Sequence, residues 1–282
     1  MTATGSVGRP GSAGRLAALL AVGLGLLAVS SAVLVHTRAG QWVDNWGFEG
    51  RKATSFEARR ALRFGLRWLT PPVVVLATAC AAAVCLRRRH WRLAVAASAA
   101  VAGAWLSAAW LKSTLDRPRL LDTYAGPANT FPSGHILLVV TTTLVAVMVA
   151  LPHRRTLVAT IGAVVAAGYV VALLSIGWHR PSDALGAIGL ALAWAAVAAL
   201  AGGAHRLTVP LTDVGRAPVD LPSPTLLVVM VDAVVAASIV VFRTTVEGPT
   251  RPLLSFVLAA VTLATVTVVV VRSFAWAVGS SA

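Results

Sequence analysis

Apolar runs recur along the chain at 16–35, 69–86, 93–111, 136–151, 157–177, 184–203, 226–242 and 253–271. Each is near the length of about 20 residues that a helix needs to cross a bilayer, the run at 136–151 being the shortest. Lipid offers no partners for backbone N–H and C=O groups, so helices are the economical reading of such runs. The pattern predicts an all-α, polytopic membrane helix bundle, with both termini on one side. A tail at 1–15, rich in Gly, Ser and Thr, precedes a six-helix core at 16–203. A linker at 204–224 with four prolines then leads to a two-helix membrane extension at 225–282. The first run is longer than a signal-peptide core, and no small-residue cleavage site follows it, so it reads as a retained anchor.

Composition agrees with this pattern. The chain is 57% hydrophobic and 12% charged, with a mean hydropathy of +0.81. A soluble domain cannot hide that much apolar surface. The net charge of +14 lies almost entirely between the runs, where it meets anionic headgroups or phosphorylated substrates. No basic helix carries interleaved aromatics, so nucleic acid is not an expected partner. Within 55–68, Arg59, Arg60, Arg63 and Arg67 share one arc of a helix, while Phe56, Leu62, Leu66 and Trp68 point elsewhere. This stretch reads as an interfacial helix gathering anionic lipid, or equally as a solvated juxtamembrane helix with snorkelling arginines. Cys80 and Cys85 fall on different helix faces and read as packing residues.

Lysines and arginines divide as 11 on the side of the termini and 13 on the other, so the count alone does not orient the bundle. The basic cluster at 87–92, in a very short loop, favours cytoplasmic termini and a plasma-membrane protein with its chemistry on the outer face.

Three polar segments interrupt this apolar background. Lys112-Ser-Thr-Leu-Asp-Arg117-Pro118-Arg119-Leu120 follows the third run. Phe131-Pro132-Ser133-Gly134-His135 precedes the fourth, and Gly177-Trp178-His179-Arg180-Pro181-Ser182-Asp183 joins the fifth to the sixth. Two spans separate the 112–135 loop from the 178–183 loop, so both emerge on the same membrane face. Cations, histidines and a carboxylate gathered at one surface are the parts that phosphoryl transfer needs: charge for the phosphoryl oxygens, a nucleophile and an acid.

These segments resemble the three signature motifs of the type-2 phosphatidic acid phosphatase superfamily, whose site is shared with vanadium haloperoxidases. In the first motif Lys112 and Arg119 match, but Leu120 replaces a proline. The second, Pro132 to His135, is complete. In the third, His179 and Asp183 match, whereas Ala172 and Leu173 stand where the family has Ser-Arg. The likeness covers roughly 93–203. It implies that His179 attacks phosphorus and carries a transient phosphohistidine, with Asp183 orienting its ring. His135 then protonates the leaving lipid oxygen. Lys112, Arg119, Ser133 and the N–H of Gly134, at a helix start, bind the phosphoryl oxygens. No metal or other cofactor is implied. The arginine missing at Leu173 would cost about 2.7–4 kcal/mol of transition-state stabilisation, unless Arg180 or Arg117 supplies that charge.

The resemblance implies an enzyme, a phosphoric monoester or diphosphate hydrolase, acting on a lipid phosphate or polyprenyl diphosphate. A phosphotransferase with a non-water acceptor is a close variant. A weak or inactive lipid-phosphate binder is the alternative that Leu173 and Leu120 favour. A transporter is disfavoured by the near absence of charges within the runs. Asp232 in the seventh run is the exception, and could be protonated or bonded to a neighbouring helix. His36, His90, His153 and His205 lie at span ends and are assigned no chemistry. The lipid tail and the oligomeric state are not legible.

Overall fold

The computed structural model describes residues 11–122, 129–204 and 251–279. Asp232, His205, the linker and the seventh run lie outside the described residues. Within them the chain is helical and contains no strand, so the all-α bundle is the observed architecture. The helices are α1 (Ser12–Val29, continued by a π-helical stretch Ser30–Val35), α2 (Arg38–Glu49), α3 (Phe56–Arg87), α4 (Trp91–Thr114), α5 (Gly134–Val149), α6 (Pro152–Ser175), α7 (Pro181–Ala201) and α8 (Arg251–Gly279). Six of these segments are long and apolar enough to span a membrane, and α5 is a shorter apolar helix. The chain is an integral membrane protein.

The central helix is α7. Its apolar window is 78% buried, against 22–39% for the other spans. Small residues make this possible: α7 is dominated by Ala and Gly, which let neighbouring backbones approach closely in lipid. The closest approach is to α1. A Cβ on Gly23 would lie 2.5 Å from the Gly189 carbonyl oxygen, and one on Gly189 would lie 2.6 Å from that of Gly23. Hydrogen bonds between helices add to this packing, as where Trp194 Nε1 donates to Ser107 Oγ at 3.0 Å and where Thr70 and Tyr169 hydroxyls meet at 2.7 Å.

The stretch at 55–68 forms the cap and first turns of α3, which runs unbroken through Pro71 and Pro72. At 32 residues, α3 is about 48 Å long, well over the roughly 30 Å hydrocarbon thickness, so its basic first turns extend past the core. Ser55 caps its start by accepting from Ala58 N.

Two features go beyond the apolar pattern. The connection after the first span folds as a short helix, α2, capped by Thr37, whose side chain accepts from Gly40 N. Helix α8 packs against α6, α2, α7 and α5, and Val270, Val271, Phe274 and Ala277 are fully buried in the same core as the rest. Cys80 is exposed and Cys85 buried, both as free thiols.

Candidate active site

The three polar segments converge at one end of the bundle. Their local structure follows from helix capping. Ser133 is the N-cap of α5: its Oγ accepts from Ile136 N at 3.3 Å, which satisfies a donor that the first helical turn leaves open. The preceding Phe131–Pro132 peptide is cis. Pro181 opens α7 at a position where its missing N–H costs nothing. The Asp183 carboxylate reaches back to accept from Arg180 N at 3.0 Å. Ser133 N donates to the Asp183 carbonyl at 3.0 Å, stitching the second segment to the third.

The two histidines face each other, with ring centroids 6.3 Å apart. Trp178 lies beside His135, centroid to centroid at 5.2 Å. Behind His179, Nδ1 stands 3.5 Å from Asp183 Oδ2, buried and just beyond a good hydrogen-bond distance. Lys112 Nζ lies 3.6 Å from where a Cβ on Gly134 would stand, so its ammonium sits at the N-terminus of α5. A lysine and a helix start thus meet beside the paired rings, a natural cradle for a phosphoryl group.

Not every residue picked from the sequence stands ready for an anion. Arg119 is exposed and, among the described residues, has no hydrogen bond or ion pair. The Arg117 side chain is 2% exposed and is held by carboxylates: Nη1 donates to Asp183 Oδ1 at 2.7 Å and Nη2 to Asp44 Oδ2 at 2.5 Å. The Arg180 guanidinium is buried over the Phe48 ring, 4.9 Å from its centroid. Leu173, at the position where the third motif has its arginine, is fully buried in α6. Leu120, where the first motif has proline, joins a pair of hydrogen bonds with Gln41. Its N–H, which proline lacks, donates to Gln41 Oε1 at 3.1 Å, while Gln41 Nε2 donates to the Pro118 carbonyl at 2.6 Å.

Several residues that close the site carry no sequence motif. Thr130 Oγ1 donates to Asp183 Oδ2 at 2.6 Å. Asn129 Nδ2 donates to the Leu115 carbonyl at 2.6 Å, and its Oδ1 accepts from Phe131 N. From α2, Asp44 accepts from Ser182 N at 2.7 Å and Ser182 Oγ at 2.8 Å, besides Arg117. Burial pushes its carboxyl up to about 6; Arg117 opposes that shift and Asp183 adds to it. Arg51 lies against Gly177, whose positive φ of 69° and lack of a Cβ leave room for it. Arg63 Nη2 donates to the Ile176 carbonyl at 2.8 Å. The arginines of the basic arc thus partly serve the site: Arg59 donates to the Arg51 carbonyl, while Arg60 and Arg67 remain exposed. The only advance signal for Asp44 was an acidic residue in a chain with 10 of them; its partners lie too far along the chain for spacing to reveal.

A cleft of about 660 Å³ opens between α3 and α4 and ends on His135. Pro71, Val74, Val75, Val101 and Trp105 line it, with few polar atoms.

Paired histidines, a carboxylate behind one of them and a lysine at a helix N-terminus, all at one end of a membrane bundle, define a phosphatase-type membrane protein. Residues 110–206 match the family model of the PAP2 superfamily, the group that the three segments resemble. Comparison with curated proteins and with solved structures gives no match.

Proposed function

We propose that the protein hydrolyses a phosphate ester or diphosphate of a membrane lipid through a phosphohistidine, without a metal ion. The observation that carries this reading is the pair of facing rings, His135 and His179, with Asp183 behind the second and an apolar cleft ending on the first. His179 attacks phosphorus, forming an N–P bond as the P–O bond to the lipid breaks. His135 gives its proton to the departing oxygen. Water then attacks the phosphohistidine, passing a proton to His135, and the N–P bond breaks to release phosphate. Asp183 stabilises the positive charge that grows on the imidazole. Lys112 and the start of α5, aided by Arg119 and the Ser133 hydroxyl, take the phosphoryl charge.

The cleft supports a lipid leaving group. Its volume falls in the range of small-molecule sites, and its apolar walls suit an acyl or prenyl chain entering from the bilayer. Polyprenyl diphosphate, phosphatidic acid and phosphatidylglycerophosphate all present a phosphate on such a tail. The basic loop at 87–92 supports cytoplasmic termini, with the site on the outer face of the plasma membrane. Arg88 in that loop also caps α5, its Nη1 donating to the Val149 carbonyl at 2.9 Å.

The test is phosphate release by detergent-purified protein from those three lipids in the presence of EDTA, with His179→Ala alongside. Release that survives the chelator and vanishes in the variant supports the reading. No release from any of them by folded protein would favour a non-catalytic lipid-phosphate binder, with the buried Leu173 as the physical reason.

A further inference from the structure

The matched segment is not a closed unit: its innermost carboxylate shares a guanidinium with a carboxylate from a helix that precedes it. We propose that Asp44 is a positioning residue for the phosphoryl chemistry, holding Arg117 so that Arg117 orients Asp183 behind His179. The proposal rests on the reading of His179 as the nucleophile.

Three observations carry it. Asp44 is 1% exposed, and its carboxylate accepts from Ser182 N, Ser182 Oγ and Arg117 Nη2, so it is fully engaged where an isolated carboxylate would be costly. Arg117 offers one nitrogen to each carboxylate, Nη2 to Asp44 and Nη1 to Asp183, and Nη2 also donates at 3.0 Å to Ser182 Oγ, which itself donates to Asp44. The guanidinium is a rigid planar fork, so anchoring one nitrogen fixes the direction of the other. Finally, Asp183 divides its oxygens. Oδ1 takes Arg117, while Oδ2 takes Thr130 and Arg180 N and faces His179. Without the Asp44 charge that edge of the fork keeps only neutral support such as Ser182 Oγ, and the guanidinium shifts toward Asp183, drawing Oδ2 away from the ring.

Charge argues in the same direction. Asp44 balances Arg117, which leaves the negative charge of Asp183 for the imidazole that becomes cationic during transfer. Asp183 does not need Asp44 for its own hydrogen bonds, since Thr130, Arg117 and Arg180 N already supply donors. The role of Asp44 is therefore directional. Its position in α2, outside residues 110–206, makes the connection after the first span part of the catalytic apparatus.

Asp44→Asn keeps the shape of the side chain and an acceptor oxygen but removes the charge that anchors Arg117. Its kcat and KM are measured beside those of Arg117→Gln, the double variant and His179→Ala, on whichever of the three lipids wild type turns over fastest. Folded fraction is scored by gel filtration and thermal melting in detergent. The expected result is a kcat lowered about 10–100-fold with KM nearly unchanged, the scale on which outer-shell partners act. Adding Asp44→Asn to Arg117→Gln should lower kcat by no more than about 2-fold further, because both act on one link.

A purely structural Asp44 would lower the melting temperature and the yield while leaving kcat per folded molecule near wild type, and that outcome overturns the proposal. So does full additivity in the double variant. If Asp44→Asn alone does not fold, Arg117→Gln and the double variant decide, and wild-type kcat in either overturns it. Release that persists in His179→Ala removes the nucleophile reading and this proposal together. Release that vanishes in His179→Ala but keeps its kcat in Asp44→Asn removes this proposal alone.

Discussion

Residues 112–183 and residues 38–63 meet around one ring of hydrogen bonds, yet they enter it in different ways. The first region brings the candidate reacting groups on the ends of α4, α5 and α7, whose other turns are packed within the bundle. The second is a short amphipathic helix and the overhanging start of α3, lying where the chain leaves the membrane. One region holds the groups proposed to touch phosphate; the other holds what touches those groups and their flanks, as Asp44 does with Ser182 and Arg117, and Arg51 and Arg63 with the Ile176–Gly177 turn. The difference teaches that a site of a few motif residues is not self-supporting. Its carboxylate–imidazole pair is buried, and buried charges need a second layer of partners to stay in one geometry.

The sharpest way to break this comparison is to remove the contact between the layers and the nucleophile. Asp183→Asn should lower kcat by about 10³–10⁴-fold, since an amide at this position can neither set the imidazole tautomer nor stabilise its charge. A loss no larger than that of Asp44→Asn, in kinetic assays of folded protein, would mean that Asp183 is itself only a support.

Next in size is the phosphate cradle. Lys112→Met should cost about 10²–10³-fold in kcat/KM, the value of one well-placed charge on a developing anion. Arg119→Ala, whose side chain is exposed, should cost far less. Equal losses for the two, measured side by side, would show that the first segment closes on its substrate in a way the free site does not reveal.

The smallest effect concerns pH and the supporting layer. Burial raises the Asp44 carboxyl from its ordinary 3.8 to about 6, with Arg117, Ser182 N and Arg180 opposing and Asp183 adding. A carboxyl raised on folding binds its proton more tightly in the folded state. The associated stability is thus fully present below about pH 4 and lost as pH rises through about 6. On that basis, the stability of wild type relative to Asp44→Asn should fall by on the order of 2–3 kcal/mol between about pH 4 and about pH 7. Thermal melts of both proteins across that range check the sign. A difference that grows with pH would mean that pairing with Arg117 outweighs burial at Asp44.

Much of this was legible in the residues alone. A run of some twenty apolar residues has one stable form in a bilayer, and a count of runs dictates which loops share a face. That physics is local, so the helical class, most of the spans and the meeting of Lys112, His135, His179 and Asp183 at one end all followed from order and length. The pairing of charges is not local. Arg117 lies five residues from Lys112 and looked like another cation for phosphate, but folding gives it two carboxylates, one of them from α2. Arg180 stands beside His179 in sequence, yet the turn into α7 sends its side chain over the Phe48 ring. Leu120, where the first motif has proline, offers an N–H that Gln41, far upstream, accepts. Hydropathy placed the helices because each answers to lipid by itself; only the tertiary structure chose partners, because a buried charge answers to whichever groups the whole fold brings within about 3 Å of it.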